Sequence, residues 1–111
     1  MLPDHVQVGP MRYPLAVNQA AIKTEGHEAF GRTHHKAQTI QLAEGQGADQ
    51  EADTVLHETL HACFAISGIG ASVSTAEEER IVAAISPLLL DTLRRNPELV
   101  AYLLGEAREV S

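Results

Sequence analysis

The stretch Asp53–Ala65, DTVLHETLHACFA, sets His57, Glu58 and His61 in the pattern H-E-x-x-H. On a helix with 3.6 residues per turn, positions i and i+4 lie one turn apart on nearly the same face. His57 and His61 can therefore aim two imidazole nitrogens at one point, as a tetrahedral zinc ion needs at roughly 2.0–2.1 Å per ligand. Glu58 projects about 100° round the helix from His57 and about 60° from His61. That direction does not suit a third ligand, but it reaches a water on the metal. Zinc brings the pKa of such a water to about 7, so Glu58 is the candidate general base as the water attacks a carbonyl carbon. It is then the acid that passes the proton to the leaving amine.

The helix carrying this pattern is expected to begin near Asp49 or Gln50, after the turn at Gly45–Gly47. Asp49 is the candidate N-cap, and Glu51 and Asp53 favour the positive end of the helix dipole. Val55, Leu56, Leu60, Cys63, Phe64 and Ile66 form most of a broad apolar surface, and Gly68 is placed to end the helix with positive φ. Cys63 follows His61 by two residues and so points about 200° away from it. The expected role of its thiol is core packing, not metal ligation.

Two histidines do not complete a zinc site with one open position, so a third ligand is needed. The next helix, TAEEERIVAAIS, offers Glu77, Glu78 and Glu79. Ile81, Val82 and Ile85 mark its expected buried face. Glu78 precedes Ile81 by three residues and Val82 by four, which aligns it best with that face. Ser74 and Glu77 fit a capping box, which gives Glu77 a structural task, and Thr75 and Glu78 fit the same pattern. Glu78 is the preferred third ligand, with Glu79 next.

Before the H-E-x-x-H helix the chain reads as strands. Val6 and Val8 alternate, Gly9-Pro10 interrupts, and Tyr13–Val17 follows, with Pro10 and Pro14 marking an edge or a bend. In Ala20–Leu42, Gly26 and Gly31 read as turn or bulge positions, and Ile40 and Leu42 alternate with Thr39 and Gln41. A three-stranded antiparallel sheet against the helix is the simplest arrangement, which makes the fold class α+β. His34 or His35 could polarise a carbonyl if its strand faced the helix; the plainer role is an exposed strand position. Beyond the second helix, Ser86-Pro87 is expected to restart or kink it. Arg94 and Arg95 meet a negative helix end, and Asn96-Pro97 opens a terminal helix through Val110 with Leu99, Val100, Leu103 and Leu104 on its core side. Tyr102 is expected to pack with its hydroxyl at the rim.

Composition narrows the function. The 111 residues are read as one domain, 1–111, with 44% apolar residues and a net charge of −7. Eight Lys and Arg against 15 Asp and Glu leave no basic stripe for nucleic acid. No apolar run approaches the ~20 residues that span a bilayer, so no membrane partner is expected. MLPDHVQVGP lacks the features of a secretory signal, and a single cysteine suits a reducing compartment, which points to the cytoplasm.

The run QTIQLAEGQGADQEADTVLHETLHACFAISG, Gln38–Gly68, resembles the core of small zincin metallopeptidases: an alternating strand, a polar connection, then the zinc helix. It is similar in particular to minimal gluzincin-type proteins related to the ImmA/IrrE peptidases, including short forms carried by phages and prophages. The resemblance extends from about Phe30 to Leu104. It implies a zincin-like fold, with a glutamate from the following helix completing the metal site and with a peptide or protein as substrate. The resulting expectation is a zinc metallopeptidase with His57, His61 and Glu78 on the metal and Glu58 as base. An edge strand at Thr39–Leu42 would align an extended substrate. The competing expectations are a zinc-containing binding module of the same fold without catalysis, and a helical adaptor without metal.

Overall fold

Strands within residues 5–18 and 31–43 build a sheet, and a 20-residue helix covers one face of it. The computed structural model describes residues 1–18, 22–24 and 27–106. In chain order the elements are β1 (His5–Val8), β2 (Met11–Asn18), β3 (Ile22–Thr24), β4 (His27–Ala29), β5 (Gly31–His34) and β6 (Thr39–Ala43). Then come α1 (Ala48–Ser67), a 3-10 turn (Ile69–Ser72), α2 (Thr75–Arg95) and α3 (Pro97–Leu103). The class is α+β, as expected. Gly26, read as a turn position, lies outside the described residues.

The sheet is larger than expected and mixed, with strand order β1-β2-β6-β5. β1·β2 and β5·β6 are antiparallel hairpins, and they join through a parallel seam that sets Leu15 against Ile40 and Val17 against Leu42. A separate antiparallel pair, β3·β4, lies in the connection between the hairpins. Alternation reports which face of a strand is buried but not which neighbour it takes, so the parallel seam has no signature in the sequence. Pro14 sits where it does no harm. Leu15 N–H donates to the Asp4 carbonyl at 2.9 Å, which turns the ring nitrogen of Pro14 away from β1, and pairing with β6 begins only at Leu15. β6 is an interior strand, so Thr39–Leu42 cannot accept a substrate strand; among the described residues the outer strand on that side is β5.

Tyr13, Ile40, Leu42 and Val8 pack from the sheet against Ala62, with Leu15, Val55 and Ile66 at the margin. The turn between β1 and β2 comes close enough to α1 that Gly9, at φ +54, sits where a Cβ would lie 3.3 Å from Ile66 Cγ2. The stripe of α1 that is buried most deeply is Thr54, Glu58 and Ala62, not the larger apolar residues, and Cys63 is exposed rather than core. The reason is close approach: a Cβ on Gly31 would stand 2.6 Å from Thr54 Cγ2 and 3.2 Å from Glu58 Cγ. β5 therefore rests directly on two polar residues of α1 whose hydrogen bonds are met. Thr54 Oγ1 lies 2.8 Å from both Gln46 Oε1 and the Gln50 carbonyl, while the Gln46 amide donates to the carbonyls of Phe30 and Ala43.

α1 begins at Ala48, one or two residues earlier than expected, and its N-cap is Gly47 rather than Asp49, with no side-chain cap, so Asp49 pairs instead with Arg94 at 2.8 Å. Gly68, at φ +85, ends it as expected. α2 runs antiparallel to α1 on the side away from the sheet, as shown by Arg94 on Asp49, Ser86 on Asp53 and Glu78 on His61. Ser74 caps α2 with Glu77 in a capping box, and the helix passes unbroken through Pro87, which is solvent-exposed. Solvent can satisfy the carbonyl that the missing N–H leaves free, so the proline does not end the helix there. Val82 and Ser86 are buried against α1, whereas Ile81 and Ile85 are exposed. α3 starts at Asn96-Pro97 but stops at Leu103 before Gly105, and its Leu99, Tyr102, Leu103 and Leu104 face solvent instead of a core. No helix among the described residues is long and apolar enough to cross a membrane.

Candidate metal centre

His57 and His61 project from α1 towards the first turn of α2, where the Ser74 cap holds the glutamate run in place. Their ring centroids are 5.0 Å apart, inclined at 62°. Both Nε2 atoms converge on Glu79: Oε1 lies 2.9 Å from His61 Nε2 and 3.3 Å from His57 Nε2. One ligand atom from each of the three residues lies within 4.8 Å of the others. A tetrahedral ion with bonds of roughly 2.05 Å separates its ligand atoms by about 3.3 Å. The donor set is of the number and type that could hold a metal ion, and the two Glu79 contacts are near that spacing.

Glu78 stands on the other side of the same imidazole. Its Oε2 lies 2.6 Å from His61 Nδ1, and Gly70 packs so closely behind it that a Cβ there would come within 3.2 Å of Glu78 Oε1. With the His61 Nδ1–H donating to Glu78, the neutral ring presents the Nε2 lone pair to Glu79. A lone pair facing a carboxylate oxygen at 2.9 Å requires a positive charge between or upon them, either a proton on Nε2 or a metal ion. Burial acts to lower the pKa of His61, but hydrogen bonds to Glu78 and Glu79 and the charges of Glu58 and Glu79 outweigh it, and the net direction is upward. Glu77 is occupied in the capping box.

Glu58 leaves α1 on the sheet side and is 6% exposed. Thr33 of β5 holds it: Thr33 Oγ1 lies 2.6 Å from Glu58 Oε1 and 3.1 Å from the Glu58 carbonyl. The charge of Glu58 is one of the influences that raise the pKa of His61. Ala43 N–H donates to the Phe30 carbonyl, which fixes the phase of the β5·β6 ladder. Arg32 and His34 turn their backbone groups to β6, and Gly31 and Thr33 turn theirs to the open edge.

Of the residues singled out in the sequence, His57, His61 and the Glu78–Glu79 pair are brought together, with Glu79 and not Glu78 on the Nε2 side. His34 lies on the face of the sheet away from α1, 2.9 Å from Gln41 Oε1, and His35 is in the exposed β5–β6 turn. Tyr102 is exposed, on a helix that starts about 25 Å along α2 from Glu79. Thr33 and Gly70 carry no such expectation, and Gly31, read as a turn or bulge position, instead begins β5 and lets that strand approach α1. Only the two-residue spacing of Gly31 and Thr33 hinted that they share a face. Comparison with protein-family models, with curated proteins and with solved structures returned no match to this chain.

Proposed function

We propose that the chain is a zinc-dependent metallopeptidase of zincin-like fold, with the ion held by His57 Nε2, His61 Nε2 and Glu79. Glu78 serves as the carboxylate that fixes the His61 tautomer. The observation that carries this reading is the double engagement of His61: Nδ1 on Glu78 and Nε2 turned to a point shared with His57 and Glu79. Metal-bound histidines characteristically give their other ring nitrogen to such a carboxylate. Bound zinc supplies Lewis acidity, polarising a carbonyl and making water a competent nucleophile near neutral pH.

The chain's own residues supply the rest. Glu58 accepts the proton of the attacking water through the oxygen that Thr33 leaves free, and returns it to the departing amine. The outward N–H and C=O groups of Gly31 and Thr33 take an extended peptide as an added strand beside the helix. The substrate is accordingly a peptide or protein segment that can present extended backbone. The test measures zinc by elemental analysis and cleavage of a mixed peptide library by mass spectrometry. The parent binds one zinc and cuts, and Glu58→Gln keeps the zinc and stops cutting. Equal cleavage by Glu58→Gln overturns the assignment.

One observation favours a second reading, a zinc-containing binding module without catalysis. Glu58 is almost fully buried and already bonded to Thr33, as a purely structural carboxylate would be. In that case the parent holds zinc and cuts nothing in the library.

A further inference from the structure

α2 has one principal neighbour along its length. Glu78, Val82 and Ser86 meet α1, and no strand packs against α2 to a comparable extent. Yet α2 also carries an apolar line, rotated by roughly 90° from that contact stripe: Ile81, Ile85 and Leu88. All three face solvent, Leu88 at 67% exposure. Their spacing of four and three residues is that of a seam between paired helices. α3 continues the pattern after a single linking residue, with Leu99, Tyr102, Leu103 and Leu104 exposed as well. A helix of seven residues has little stability of its own in water and needs something to pack on.

We propose that this face of α2 and α3 docks a second copy of the chain, forming a two-fold dimer. Three observations single out a copy of itself as the occupant. The α2 line and the side of α3 that carries Leu99, Tyr102 and Leu103 together expose on the order of 600 Å², against the ~800 Å² per partner that a stable interface buries. The seam has an uncharged middle, Ile81, Ile85, Leu88 and Thr92, with Glu77 at one end of the line and Arg95, paired with Asp91 at 2.9 Å, at the other. Antiparallel two-fold pairing thus sets the acid of one copy beside the base of the other. Two chains that each carry a net charge of −7 can meet there without opposing like charges. The helical seam is also self-complementary about a two-fold axis, where each residue of one copy meets the same set on the other. Glu79 points about 200° round α2 from Ile81, so the dimer leaves the histidine pair open and stands independently of the metal.

Sedimentation equilibrium of the full chain up to about 100 µM tests this, with and without a zinc chelator. The expected mass is twice 12.0 kDa in both conditions. The double variant Ile85→Glu, Leu88→Glu is expected to sediment at 12.0 kDa with an unchanged circular dichroism spectrum. The milder Leu88→Ser, which preserves folding if the double variant does not, weakens association at least tenfold. A parent that is monomeric throughout, a mass above the dimer, or a dimer that survives either variant with unchanged affinity overturns the proposal.

Discussion

Thr33 Oγ1 lies 2.6 Å from Glu58 Oε1, so one hydroxyl on the outer strand fixes the carboxylate of the H-E-x-x-H helix. Removing it strands a buried charged acceptor. Thr33→Val is expected to lower unfolding stability by about 1–3 kcal/mol in urea titrations, while Thr33→Ser, which keeps the donor, loses less. Equal losses from the two would show that the methyl group, and not the hydrogen bond, is what matters.

Gly31 makes a different demand on the same contact. A Cβ there meets Thr54 Cγ2 at 2.6 Å, so Gly31→Ala is expected to cost about 1–3 kcal/mol by overpacking. Thr54→Ser deletes that methyl and keeps the hydroxyl bonded to Gln46. Combined with Gly31→Ala it should return part of the loss, a coupling of roughly 0.5 kcal/mol or more in a double-mutant cycle. Strict additivity would place the clash elsewhere, for instance at the Gln41 carbonyl.

Glu78 and Glu79 are separable by zinc affinity. Glu79→Gln removes a proposed charged ligand and is expected to reduce competition-measured affinity more than Glu78→Gln, which exchanges the supporting carboxylate for a neutral acceptor and costs at most roughly 10–100-fold. The reverse order would restore Glu78 as the third ligand.

The raised pKa of His61 carries a sign. A group whose pKa is higher folded than unfolded contributes stability that is fully present below the unfolded value of about 6.5 and is lost as pH rises through the folded value. Metal-free protein is therefore expected to lose thermal stability as pH climbs above about 6.5, and Glu78→Gln to flatten that dependence. Zinc needs the unprotonated ring, so its affinity should increase across the same window. A metal-free melting temperature that rises with pH there would contradict the assignment.

Much of this architecture was legible because short-range rules govern it. The spacing of His57 and His61, the stop at Gly68, the Ser74–Glu77 box and the Asn96-Pro97 start each depend on residues within one or two turns. Failures came where distant contacts decide. Cys63, Ile81 and Ile85 look like core by type, but α1 receives a strand at Gly31 and α2 receives little besides α1, so small and polar residues take the buried stripes. Glu78 and Glu79 reach opposite nitrogens of the His61 ring, which is also a contact between distant parts of the chain. Residue spacing along α2 does not specify which nitrogen each takes.

The parallel seam also bears on the order in which the chain assembles. Each hairpin closes over a few residues, whereas bringing Leu15 beside Ile40 closes a loop of roughly 25 and costs correspondingly more chain entropy. Thr33 travels with one hairpin and Tyr13 with the other, while α1 takes its seat on side chains from both. The packing beneath α1 is thus expected to be a late product of folding, complete only once two locally formed pieces have found each other.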